Sequence, residues 1–219
     1  MAKATGSTRI KQHSPEFKLD TRCASAPIAS RAAAPSGGSP RFRLNPMLLH
    51  RDDEENEWPP TSTGATIALS VVAAWIAWQH LLTADAWVLL LDNANLALHE
   101  AGHPIVGLFS SRLAVYGGTI FQLLFPVLFA HYFWRERQPT GWAACLLWLA
   151  ANLMNVGRYM KDARAGELPL VGGDHDWTEI FSRWGVLAHD VGIGNSVKVL
   201  GLALAAYAVW WMWRQHYQQ

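Results

Sequence analysis

His99-Glu100-Ala101-Gly102-His103 sets two imidazoles four residues apart, with a carboxylate beside the first. On a helix, positions i and i+4 share a face, so both rings can reach one metal ion while Glu100 stands next to it. The chemistry served by this pattern is hydrolysis by metal-activated water. Zinc takes imidazole nitrogen at about 2.0–2.1 Å, keeps one position open for water, and works beside a base that removes a proton. His99 and His103 are candidate ligands, Glu100 the candidate base and Zn2+ the expected cofactor. The alternative without chemistry is a pair of histidines satisfied by hydrogen bonds inside a helix bundle.

The setting sharpens the first reading. Ala86 to Phe109 reads as one apolar helix, yet it carries Asp92, Asn93, Asn95, His99, Glu100 and His103. Ionisable groups within a membrane span cost several kcal/mol each, so they mark functional sites. Asp92, Asn95, His99 and His103 recur at spacings of three, four and four, which makes one polar stripe. Asn95 and Asp92 could take the outward ring hydrogens of the ligands; alternatively, Asp92 faces a water-filled vestibule.

The elements that must position this box follow from composition. The 219-residue chain is 51% hydrophobic, with 12 Trp and a net charge of +1, which gives no argument for a nucleic-acid partner. Residues 1–60 are polar: a basic stretch rich in Ala, Ser, Pro and Gly, then the acidic cluster Asp52-Asp53-Glu54-Glu55. Such a segment cannot offset its ordering entropy by apolar burial and is expected to be a disordered tail and linker. It reads as a cytosolic tail, or as an organellar transit peptide. Cys23 and Cys145 form no disulfide framework and no cysteine-based zinc site.

Residues 61–219 form a run of apolar segments of spanning length. The expectation is an all-α polytopic membrane protein of about five spans, near 65–82, 86–109, 113–134, 141–160 and 193–213, with an amphipathic helix over 177–190. Arg41, Arg43, Arg51, Arg112, Arg158, Lys161, Arg164 and Arg183 then collect on one side, against Arg135, Arg137 and Arg214 on the other. That bias favours a cytoplasmic N terminus and a C terminus across the membrane, which would be a bacterial inner membrane or an organelle's. Gly117-Gly118 in the third segment allows either close helix packing or a broken, re-entrant stretch lining the site.

The fourth segment holds Asn152, Asn155, Tyr159 and Asp162 on one helical face, and at 1.5 Å per residue Asn155 lies at the depth of Glu100, about 22 Å in. A catalytic zinc needs a third protein ligand, which Asp162, His175 or Asp176 could supply. Gln122, Asn152 and Asn155 are candidates to hold a substrate backbone or a developing oxyanion.

Leu98-His99-Glu100-Ala101-Gly102-His103, in a membrane span and followed by a glycine-containing segment, resembles the site-2 protease family of intramembrane zinc metalloproteases. The resemblance covers roughly residues 86–176. It implies zinc on His99 and His103, Glu100 as general base, and hydrolysis of a peptide bond in a membrane-embedded substrate. Asn152-Leu153-Met154-Asn155 with Asp162-Ala163 looks like the family's asparagine-then-aspartate arrangement on a later span, which implies Asp162 as third ligand. The family's Pro-containing run ending in Leu-Asp-Gly is absent. The readings from other classes are a zinc-binding scaffold without activity and a metal transporter using the Asp92–His103 stripe.

Overall fold

A computed structural model describes residues 58–83, 86–171 and 174–218. Those residues form six α-helices and no strand: α1 Thr63–Leu82, α2 Leu89–Gly107, α3 Ala114–Arg135, α4 Pro139–Lys161, α5 Asp176–Trp184 and α6 Asp190–Tyr217. The expected basic tail and most of the acidic linker lie outside the described residues. Three helical stretches, Thr63–Leu82, Ser111–Arg135 and Leu187–Tyr217, are long and apolar enough to cross a membrane.

α4 is equally long but more polar, and its position explains why. It lies between α6, α3 and α1, with Ala143, Ala150, Ala151, Asn152 and Met154 wholly enclosed. A helix screened by its neighbours can carry Asn152, Asn155 and Arg158, because these meet other helices. Glycines bring α6 close: a Cβ on Gly201 would stand 2.7 Å from the Ala150 carbonyl oxygen. One on Gly157 would meet the Gly194 carbonyl oxygen at 2.6 Å.

Contacts at the helix ends fix the directions. Trp142, early in α4, meets Trp211, late in α6, edge to face with ring centroids 4.3 Å apart, so these helices are antiparallel. α1 is antiparallel to α6 as well. Just ahead of α1, the Thr61 hydroxyl donates to the Met212 carbonyl (3.2 Å), and His216 Nδ1 donates to the Thr61 carbonyl (3.0 Å). In the last turns of α1, the His80 carbonyl accepts from Lys198 Nζ at 2.6 Å. The end of α1 and the start of α3 therefore lie in the same half of the bundle.

α2, the single helix between them, runs obliquely within that half. Leu91 packs on Ile76, Ala151 and Met154 near mid-bundle, and the helix finishes where His103 reaches the start of α3. Its start is closed by Asp92, whose Oδ2 accepts the Val88 N–H at 2.6 Å. Pro104 carries no N–H for the Glu100 carbonyl, and α2 ends one turn later. The segment expected as a second full span is not among the stretches long and apolar enough to cross a membrane, and Thr61 and His216, expected on opposite sides, are neighbours.

Gly117 and Gly118 lie in an unbroken α3, so the broken or re-entrant stretch is not formed. They serve packing instead: a Cβ on Gly117 would stand 2.3 Å from the Gly102 carbonyl oxygen, and one on Gly102 would meet the Gly117 oxygen at 2.2 Å. Gly117→Ala must therefore push α2 from α3, at a cost of about 1–3 kcal/mol. It should lower the thermal midpoint in detergent, whereas Gly64→Ala, with nothing within 4 Å, should not.

Candidate metal centre

Three chain segments meet at the box. α2 brings His99 and His103, whose rings pack edge to face at 4.9 Å between centroids. α3 passes behind them, and its Ala114 carbonyl accepts from His103 Nδ1 at 2.9 Å. A carbonyl only accepts, so His103 Nδ1 carries a proton and Nε2 is the nitrogen that faces the site. His99 is oriented in the same way: Gln122 turns Oε1 toward Nδ1 (3.2 Å) while its Nε2 donates to Asn155 Oδ1 (3.3 Å). Both Nε2 atoms then converge on one oxygen, Asp176 Oδ2, at 2.9 Å from His99 and 3.3 Å from His103.

Asp176 is the first residue of α5, and the helix holds it in place. Trp177, Ile180 and Phe181 are buried against Val115, Val156 and Met160, which anchors this short helix to α3 and α4. The Asp176 N–H donates to the Tyr159 hydroxyl at 3.1 Å. His175 precedes the helix, and its Nδ1 accepts the Thr178 N–H at 3.3 Å. Burial pushes the His175 imidazole below its ordinary value, against the pull of Asp162 and Asp176, and this keeps it neutral for that role.

His99, His103 and Asp176 each offer one ligand atom, all within 4.8 Å of one another. Tetrahedral bonds of 2.0–2.1 Å leave ligand atoms about 3.3 Å apart, near the 2.9 and 3.3 Å separations found here, so the group could take a small divalent cation. The chemistry of the set suits a cation too. His99 Nε2 lies at hydrogen-bond distance from the Asp176 carboxylate and His103 Nε2 just beyond it, and a divalent cation could stand in for the bridging proton. Gly118 leaves the space open: a Cβ there would stand 2.5 Å from His99 Nε2 and 2.7 Å from His103 Nε2.

The other residues singled out from the sequence fall in different places. Asp162, the third ligand that the resemblance implies, is engaged outside the His99–His103–Asp176 group. Just past the last turn of α4, its carboxylate accepts the Glu167 and Leu168 N–H groups at 2.9 and 3.0 Å and lies 3.4 Å from His175 Nε2, folding the loop that leads to Asp176. His175 likewise faces Asp162 and not the two box histidines. Asp92 caps its own helix. Asn95 ties α2 to α4, accepting from Trp148 Nε1 at 2.7 Å and Asn152 Nδ2 at 3.4 Å, so Asp92, Asn95 and Asn152 do not touch the ligands. Gln122 and Asn155 do continue outward from His99. Tyr159 and Gly118 were not singled out as site residues. Tyr159 shared a helical face with Asn155, which was the available signal, and Gly118 had none beyond its glycine pair.

Two cavities meet at Glu100. One of about 640 Å³ is walled by Trp87, Leu89, Leu96, Leu168 and Leu170; the other, of about 440 Å³, by Ser111, Asp174, Glu179 and Arg183. His99, Glu100 and Tyr159 line both.

Compared with family models, curated proteins and solved structures, the chain matches none. Its site is therefore read from its own geometry. If the group holds zinc, Asp176→Ala should lower zinc affinity at least about 100-fold, since it would delete one of three ligands. Asp162→Ala, which loosens a supporting loop, should lower it by roughly 10- to 100-fold. Zinc titration with a competing chelator measures both, and a larger loss in Asp162→Ala would reverse the assignment.

Proposed function

We propose that this chain is an integral membrane zinc hydrolase that cuts a peptide bond in a membrane-embedded polypeptide. The observation that carries the reading is the convergence of His99 Nε2 and His103 Nε2 on Asp176 Oδ2, beside Glu100, where an apolar and a polar cavity join. The likeness of the box to the site-2 protease family points the same way. His99, His103 and Asp176 would hold the ion, and His175 and Asp162 would support Asp176 from the loop. The ion, when bound, supplies a more acidic water and a polarised carbonyl. Glu100 takes the proton from that water and returns it to the leaving nitrogen. The apolar cavity accepts the greasy side of the substrate, and the polar one admits water.

In this reading α1, α3, α4 and α6 cross the bilayer and α2 lies obliquely in one leaflet. Four crossings rest on the three apolar helices, on α4 enclosed among them, and on the meeting of Thr61 with His216. Transport of metal along the α2 stripe finds less support, because Asp92 and Asn95 are held by helix contacts and not ranged along a path to the ligands.

Glu100→Gln should keep about one zinc per chain and lose roughly 10²- to 10⁴-fold in turnover on membrane peptides reconstituted in vesicles. Undiminished cleavage would remove Glu100 from the reaction. Equal zinc with no cleavage by either protein would favour a zinc-binding scaffold.

A further inference from the structure

Hydrolysis of a peptide bond gathers negative charge on the carbonyl oxygen, and a donor aimed at that oxygen is worth as much as the base. Gln122 and Asn152 cannot be spared for it. Gln122 is engaged at both ends, by His99 and Asn155, and Asn152 Nδ2 is held by the Trp148 carbonyl at 3.1 Å and by Asn95. Asn155 lines only the apolar cavity. Tyr159 stands where the two cavities join. Its ring lies against His175 at 4.2 Å and meets the His99 ring edge-on at 6.0 Å, so it is fixed from two sides. Its oxygen accepts the Asp176 N–H at 3.1 Å, which leaves the hydroxyl hydrogen free to donate; among the described residues no acceptor takes it.

We propose that Tyr159 is a catalytic residue whose hydroxyl donates a hydrogen bond to the carbonyl oxygen of the bond being cut. This rests on the peptidase reading above. The water oxygen bonds to the carbonyl carbon, the carbonyl π pair moves onto its oxygen, and Tyr159 hydrogen-bonds that oxygen without giving up its proton. The proton lost by the water goes through Glu100 to the nitrogen as the C–N bond breaks, giving a carboxylic acid and an amine. The competing role is structural: Tyr159 would do no more than steady Asp176 through the backbone N–H.

A stable tetrahedral anion separates the two roles. The probe is a phosphinic pseudopeptide with leucine side chains on both sides, titrated into full-length protein in nanodiscs loaded with Co2+; the cobalt absorption spectrum reports metal and ligand binding. Tyr159→Phe should hold Co2+ within about threefold of wild type, and bind the pseudopeptide at least about tenfold more weakly. Equal losses for Co2+ and pseudopeptide would show a structural role only and overturn the inference, as would unchanged pseudopeptide affinity. Failure of the pseudopeptide to bind metal-loaded wild type would overturn the peptidase reading itself, and the inference with it.

Discussion

Two imidazole nitrogens, each bared by an acceptor on the far side of its ring, face a single carboxylate oxygen within an enclosed helix bundle. A proton can bridge that meeting, as the 2.9 Å contact of His99 Nε2 with Asp176 Oδ2 allows, and a metal cation could take its place. The surrounding architecture is what forces the meeting. The Ala114 carbonyl comes from the first residue of α3, Gln122 from two turns further on, and Asp176 from a short helix held to the bundle by Trp177, Ile180 and Phe181. Candidate ligands 73 residues apart in sequence are brought together by packed elements, so a cation would enter with little reorganisation.

Small residues set how closely those elements approach. Gly102 and Gly117 let α2 lie on α3 at backbone contact, and Gly118 leaves the space between the two Nε2 atoms. A side chain at either α3 position would act differently: at Gly117 it would separate the helices, and at Gly118 it would fill the space beside the two imidazoles. Adjacent glycines thus set helix approach and the room between the histidines one residue apart.

The box itself was legible because helical periodicity alone puts His99 and His103 on one face and Glu100 beside them. The all-helical class was legible from apolar runs of spanning length. The path of α2 was not. An apolar helix of 19 residues reads as a span whether it crosses straight or lies oblique, and only the contacts of Leu91 and His103 with other helices tell which. The choice among Asp162, His175 and Asp176 was not legible either. Asp162 shares a helical face with Asn155, but a carboxylate just beyond a helix end has loop N–H groups within easy reach and takes them. Asp176 begins a helix whose buried residues fix its position, and that advantage depends on tertiary packing. The stripe of Asp92 and Asn95 pointed correctly to a buried face, where helix-to-helix ties and metal support look alike from spacing alone.

The bond between His216 and the Thr61 carbonyl joins the beginning and the end of the helical unit. On the four-crossing reading proposed above, both ends of that unit would open into one compartment and the loop carrying His175 into the opposite one.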